Sequence, residues 1–528
     1  MGFDGPPTQR RRQTQDLSAR QGFLPKSTSI EAILHTPPNA AVDDLAAEPR
    51  LGYVSGWTRV TDDQDFLAHL FTIWTERENI YYHFLDREAF LADMSSSRGD
   101  FCSELLVNAV LASACFHSSA VKDRNKPFSQ HSIQTSFYYE ARRLWDLENG
   151  KDHLTKVQAG MIMYLVLAKY GRDREGHKFL AEACKSAQKL GLFDFESPYN
   201  KATPTHISAD RWNRARAVTA WAVYNFQLSM AITYSFPAII QKLPSMPIPS
   251  LETETLFRSE CALHIILLDC VGIIQDSEYI NPHDAQSADR IEACFSRLRS
   301  WWYSRPSTLD PDKYPSQVHL LSAMQYNVNV VKLFRPVLDR EAKNTEHAAS
   351  YIDRARSAIS ASLREIRRLV ILHDTHHGWS HAITFVMNGI TVASFGTLDE
   401  ISYDRPLLSR GADNERYQGL VTCLRALTVL LSYSYFAQPI FRLLAQKCAL
   451  LGIELPAEIQ SALDFCTSED WTKHAVEWVS SQFIADTRSV DKDTETLRMD
   501  AIISKWDSLT LHEKQEFPLR KGKERAEF

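Results

Sequence analysis

The chain has 528 residues, more than one ordinary domain needs, and 44% of them are hydrophobic, enough to bury a large core. Its 59 Lys and Arg against 65 Asp and Glu leave a net charge of -6, which excludes a chain built as a whole to grip nucleic acid. The longest apolar run, 161–168, is far short of the roughly 20 residues that cross a bilayer, and the first residues are polar, so the expectation is a soluble, intracellular chain without a membrane partner.

Residues 1–50 are rich in Pro, Gln, Ser, Thr and Arg and lack a sustained apolar period, which predicts a disordered segment. Its Arg10–Arg12 run reads equally as a nuclear-import signal or as a solvated charge cluster. From Asp62 the pattern turns helical: Phe66, Leu67, Leu70, Phe71 and Trp74 share one face behind the N-terminal acids Asp62, Asp63 and Asp65. Helices are predicted near 102–117 and 134–147. The 153–170 helix is apolar nearly all round and must be buried.

After Gly171 a charged turn starts an amphipathic helix with Phe179, Leu180, Ala183, Ala187 and Leu190 on one face and Gly191 as its C-terminal cap. In that turn Arg172, Asp173, Arg174 and Glu175 are expected to cap the helix and face water. A long helix follows over 211–234, then a connector over 236–250 whose four prolines force it to be extended. Helical periods continue near 254–275, 287–303, 316–334, 348–373, 378–395, 414–435, 439–451, 457–482 and 495–514. Alternating strand patterns are scarce, so the fold class is all-α, a large irregular helical array. The boundaries are 1–50 for the polar segment, 51–250 for the core of a helical domain, 251–515 for its C-terminal helical part and 516–528 for a basic tail.

Nine cysteines are scattered from Cys102 to Cys466 without a CxxC, several inside apolar runs, which fits reduced thiols acting as small hydrophobes. The sharpest chemical candidate is LHDTHHGWSH, where His373, Asp374, His376, His377 and His381 fall within nine residues and could ligate a metal. That cluster supports one alternative, a helical metal-dependent hydrolase; its plainer reading is a polar helix end where His suits the dipole, with Gly378 closing it. A P-loop, a GxGxxG fingerprint, a GxSxG elbow and HExxH are all missing, so the chain is not expected to be an enzyme, and no cofactor or metal site is assigned within it. The Trp-rich 299–306 stretch is read as core.

Four stretches in order resemble the regulatory, or middle homology, domain of fungal zinc binuclear cluster transcription factors. Residues 66–94 look like its opening helix and following Phe-x-x-Asp-x-x-x-Phe segment. Residues 138–193 carry Val157-Gln158-Ala159, then Gly171, then a helix ending in Leu190-Gly191-Leu192. Residues 214–249 match at Arg214, Arg216, Trp221, Pro237, Pro247 and Pro249, and residues 326–338 match a segment ending in Arg335-Pro336. The GRDREG turn, with Arg172 and Asp173, is most similar to the branch that includes nitrate-assimilation activators.

Two departures stand out. The family often has an Asp in the middle of the Trp-containing helix and Gly-Arg before the loop proline; here Gln227 and Ser235-Phe236 stand there. The family's DNA-binding module holds two zinc ions on six cysteines, but no cysteine here precedes Cys102 and none has the C-x2-C-x6-C spacing. The resemblance therefore implies a nuclear transcriptional regulator of a metabolic or secondary-metabolite pathway that does not read DNA specifically by itself. It further implies protein partners, either a DNA-binding regulator or a second copy, and a small-molecule effector; zinc enters only with an upstream cluster. The other alternative is a helical interaction protein with no part in transcription.

Overall fold

The computed structural model describes residues 48–194, 196, 203–249, 255–275, 285–338, 346–404, 410–483, 498, 499 and 501–503. These residues form an all-α array, with no β-strand among them. The predicted 1–50 segment, all but its last three residues, and the predicted 516–528 tail lie outside the described residues.

A short 3-10 helix over Pro49–Trp57 precedes α1, Gln64–Trp74, where Asp63 accepts the Phe66 backbone N–H at 3.0 Å. That is the N-cap its sequence implied. Leu67, Leu70, Phe71 and Trp74 are buried, and the helix then widens into a π turn over Thr75–Asn79. α2, Arg87–Ser96, and α3, Glu104–Ala114, follow, and every α3 residue after Glu104 is buried. α4, Ile133–Leu147, and α5, Leu154–Lys169, pack on α3. All sixteen α5 residues are buried, as expected of a helix apolar on every face.

α6, Asp173–Lys189, folds back along α5. The two approach so closely that a Cβ on Gly160 would lie 2.8 Å from the Ala183 Cβ. α7, Ala209–Tyr234, lies on α5 and α6 and is buried from Ala215 onward. α8, Thr255–Gln275, joins α7 to α9, Ala285–Ser304, and to α10, Gln317–Leu338. α11, Glu346–His377, packs along α10, and α12, Val386–Asp404, and α13, Arg410–Leu430, complete that half. α14, Ala437–Leu450, α15, Ala457–Cys466, and α16, Glu469–Trp478, close the array.

Partly buried ion pairs stitch this second half. Asp399 of α12 takes Arg335 of α10 at 2.9 Å and Lys447 of α14 at 2.6 Å. Arg367 of α11 makes a bidentate pair with Glu415 of α13, at 2.7 and 2.9 Å, and reaches Glu400 of α12 at 3.0 Å.

Three sequence expectations are corrected. The predicted 378–395 helix begins only at Val386, because the Trp379 and Ala382 carbonyls are taken by the Tyr433 hydroxyl, at 2.8 and 3.1 Å. The predicted 457–482 helix is two helices, restarted by Ser468, whose hydroxyl caps Trp471 N–H at 3.2 Å; residues beyond Trp478 leave the helix. In the 414–435 period the helix stops at Leu430 and turns follow. Most of the predicted 495–514 helix lies outside the described residues.

Candidate functional site

The GRDREG turn is where sequence signals are densest, and there the structure joins parts far apart in the chain. α5 ends in a Schellman motif: Gly171, at φ +73°, donates to Ala168 O at 2.9 Å, and Arg172 N–H reaches Leu167 O at 2.9 Å. Only Gly fits. Besides the left-handed backbone, a Cβ on Gly171 would sit 2.7 Å from Cδ2 of Phe436. Phe436 comes close because its N–H donates to Lys169 O at 3.1 Å. Gly171→Ala is therefore expected to cost about 1–3 kcal/mol, read as a lower urea midpoint, since both the backbone and the Phe436 ring must yield.

A strap from the C-terminal side closes over this turn. Leaving α16, Ser480 N–H donates to Gly171 O at 2.8 Å, and Arg174 N–H donates to Ser480 O at 3.3 Å. Gln482 N–H donates to the Asp173 Oδ2 at 2.8 Å. Phe483 then packs edge-on to Phe436 and Tyr234, ring centroids 5.7 and 6.3 Å away.

Asp173 is thus no solvated capping residue. Its side chain is fully buried and holds the strap, with Oδ1 left without a partner; this corrects the expectation for that position. Burial pushes its carboxyl up to about 7, against hydrogen bonds from Ser481 and Gln482 that pull it down. Arg172 does keep a half-exposed place: it pairs with Glu175 and lies over the Phe128 and Trp478 rings at 5.7 and 5.3 Å.

The other signature positions are mainly joints. Val157 is buried, and Gln158 donates to Thr219 Oγ1 at 2.9 Å, tying α5 to α7. Gly191, at φ +71°, ends α6. Arg216 is buried and donates to Leu190 O at 3.2 Å, bracing that same end. The Trp221 indole donates to Met246 O at 3.0 Å and anchors the proline-rich connector. Pro237 itself is exposed. Gln227, where the family often has Asp, clamps the loop after Pro237: its amide donates to Ile240 O at 3.1 Å, and its carbonyl accepts Ile239 N–H at 3.0 Å. Arg335 bonds Asp399, and Pro336 falls in the last turn of α10, near where the helix stops.

The histidine stretch does not converge. His373 is buried and stacks on Trp379 at 4.3 Å, and the Trp379 indole donates to Asp374 at 2.6 Å. His377 contacts the Pro315 carbonyl at 2.5 Å, and His376 ends the helix on its exposed side. Gly378, at φ +60°, caps that end as the plainer sequence reading had it. Among the described residues no three His, Cys, Asp or Glu side chains are grouped to hold a metal.

Sequence reasoning missed a charged cluster in the core. Glu78, on the π turn, is fully buried. Its Oε1 meets His117 Nε2 at 2.6 Å and the Lys169 ammonium, while Oε2 accepts the Trp74 indole at 3.0 Å and the Ser113 hydroxyl at 2.7 Å. Burial alone would raise the Glu78 carboxyl, but Lys169 and His117 outweigh it and hold it at about 2. Burial pushes His117 down to about 4, so the ring is neutral and donates through Nε2. The one signal in the sequence was Lys169, a cation closing an apolar helix, which demands a buried counter-charge without saying where it lies.

This array contains a region with known kin. Residues 73–260 match the fungal specific transcription factor domain. This stretch is where the chain is similar to that family. It runs from the end of α1 into α8 and includes the Glu78 cluster, the GRDREG turn and the proline-rich connector, whereas the strap comes from outside it.

Over 425 residues the chain is 25% identical to the notoamide biosynthesis transcriptional activator notL' of Aspergillus versicolor, covering 73% of this chain and 65% of that one. It is 26% identical over 388 residues to the nitrogen assimilation transcription factor nirA of Emericella nidulans, covering 66% and 41%. Over 350 residues it is 24% identical to the nitrogen assimilation transcription factor nit-4 of Neurospora crassa, covering 57% and 31%. The chain thus spans from about a third to just under two thirds of the length of these relatives. No solved structure matches.

Proposed function

We propose that this chain is a nuclear transcriptional regulator of the fungal type, in which the domain at 73–260 is held by C-terminal helices through the GRDREG turn. The supporting observation is that a strap from outside the 73–260 region meets the turn inside it through backbone hydrogen bonds, an arrangement suited to passing a change in one part to the other. The relatives named as activators of a secondary-metabolite pathway and of nitrogen assimilation favour a metabolic pathway as the target. None of the nine cysteines has the zinc-cluster spacing, so sequence-specific DNA contact comes from outside these 528 residues, on a protein partner or a further segment.

The test is to fuse residues 1–528 to a heterologous DNA-binding module in a fungal host. A reporter under that module's site should change its output relative to the module alone, and a fluorescent fusion of the chain should concentrate in the nucleus. An unchanged reporter with a cytoplasmic fusion would favour a non-transcriptional interaction protein instead.

A further inference from the structure

The outer side of α6 and the turn between α4 and α5 enclose a cavity of about 450 Å³. Along α6 the lining residues Lys178, Glu182, Lys185 and Lys189 follow at spacings of four, three and four, which places them in one stripe on the helix. The facing wall is the turn at Asn149, Gly150 and Asp152, and Lys156 in the first turns of α5 also lines the cavity.

Lys156 is what a plain surface groove would lack. Its side chain is only 1% exposed. The ammonium lies 5.0 Å from the centroid of the Trp145 ring, donates to the Glu148 carbonyl at 3.1 Å and pairs with Glu182 at 2.8 Å. Ser186 is buried beside it on α6, and its hydroxyl donates to Asp152 at 2.6 Å. The same carboxylate takes the Lys189 ammonium at 3.2 Å. These bonds fix the turn against α6, so the two walls are held in place by the protein itself.

The charges lining the cavity do not balance. Four lysines stand against two carboxylates, and both carboxylates are committed, Glu182 to Lys156 and Asp152 to Ser186 and Lys189. Burial raises the Asp152 carboxyl, but the bonds from Ser186 and Lys189 outweigh it and hold the group below its usual value, so it is ionised and already counted. Lys178 and Lys185 are exposed, and among the described residues neither makes an ion pair. The cavity therefore carries a surplus of two positive charges, one of its ammonium groups being withdrawn from water.

We propose that this cavity binds a small dianionic metabolite, a dicarboxylate or a phosphate monoester, between Lys178, Lys185 and Lys156. A ligand with two negative charges cancels the surplus, and the volume is that of a small-molecule site. Lysine ammonium groups are compact point charges on flexible stems, so they accept either anion without the planar match that a guanidinium demands. This inference is independent of the transcriptional reading.

The test uses the full chain at pH 8 in chloride buffer of constant ionic strength. Succinate and glycerol phosphate, each carrying two negative charges, are titrated while the heat of binding and the melting temperature are followed. Saturable heat and a rising melting temperature are expected with at least one of them, since a ligand of the native state stabilises it in proportion to its occupancy. Tighter binding of succinate would assign a dicarboxylate, and tighter binding of glycerol phosphate a phosphate monoester. Lys178→Gln with Lys185→Gln should leave the urea midpoint unchanged, because both side chains are exposed and without an ion pair, and should weaken binding about tenfold or more. Lys313→Gln with Lys473→Gln removes the same charge at two exposed lysines that do not line the cavity, and should leave the affinity unchanged. Absence of saturable binding by both probes overturns the site, as does an equal loss of affinity in the two double variants or full affinity in the first.

Discussion

Glu78→Ala is expected to destabilise the protein by about 3–5 kcal/mol, the usual cost of removing one partner of a buried ion pair. The Lys169 ammonium, 1% exposed, would keep only Ser113 and the Phe116 ring, 4.6 Å away. The Trp74 indole would lose its acceptor as well. Removing both charges together, as Glu78→Gln with Lys169→Met, should return most of the loss, because a neutral pair of similar volume no longer leaves a charge stranded. Urea unfolding of wild type, both single variants and the double variant measures this as a coupling energy. Equal destabilisation in Glu78→Ala and the double variant would sink the idea that a stranded charge is the cause.

The pH dependence has a definite sign. The carboxyl is held at about 2 in the fold against 4.5 in its absence, so its contribution is in place above about pH 4.5 and is lost as pH falls through 2. That difference amounts to about 3 kcal/mol.

The fold was legible where burial repeats along one element. The 153–170 run is apolar on every face, and α5 is buried on every face; Asp63 before a periodic apolar stripe is the N-cap of α1. Elements failed where a distant group decided the outcome. Nothing in 378–385 announces that Tyr433 will take two of its carbonyls, and the 457–482 period hides a break because the Ser468 cap competes with an otherwise continuous apolar pattern.

The joints were harder to read than the elements. Gly171 and Gly191 could be placed as helix ends from local spacing, and both adopt positive φ. Asp173 could not, because an acid at a helix start normally meets water and the dipole, while the strap that buries it lies 309 residues away. Gln227 looked like a departure from its family's pattern and is instead a working clamp on the connector.

Asp173→Asn should flatten the pH dependence of stability. In the fold the Asp173 carboxyl titrates at about 7, against 3.8 for an exposed one. Between those values the native state keeps a proton that the unfolded state has released, so stability falls as pH rises from about 4 to about 7. The full difference is about 4 kcal/mol. Below pH 4 both states are protonated and the effect vanishes. The groups facing this carboxyl are Ser481 and Gln482 on the strap, Arg174 on its own helix, Tyr164 on α5 and Tyr234 on α7. Tyr164 and Tyr234 have their own ionisation pushed well up by burial, so neither titrates in this window.

Asn keeps an acceptor for the Gln482 N–H and carries no charge. The variant should therefore be the more stable protein at pH 8, less about 1–3 kcal/mol for any amide hydrogen left unpaired. Asp173→Ala differs, since it strands that N–H and loosens the strap at every pH. Amide exchange at Gln482 separates local from global effects. If ionised Asp173 loosens the strap, exchange in the wild type speeds up between pH 6 and 8 beyond the intrinsic rate change, and the Asn variant shows only the intrinsic change. Identical profiles in the two proteins would mean that the strap stays seated whatever the charge on Asp173. The junction at the GRDREG turn would then be a fixed brace, and any signal between the C-terminal helices and residues 73–260 would have to travel through other contacts, among them those of the Lys169 carbonyl with Ser434 and Phe436.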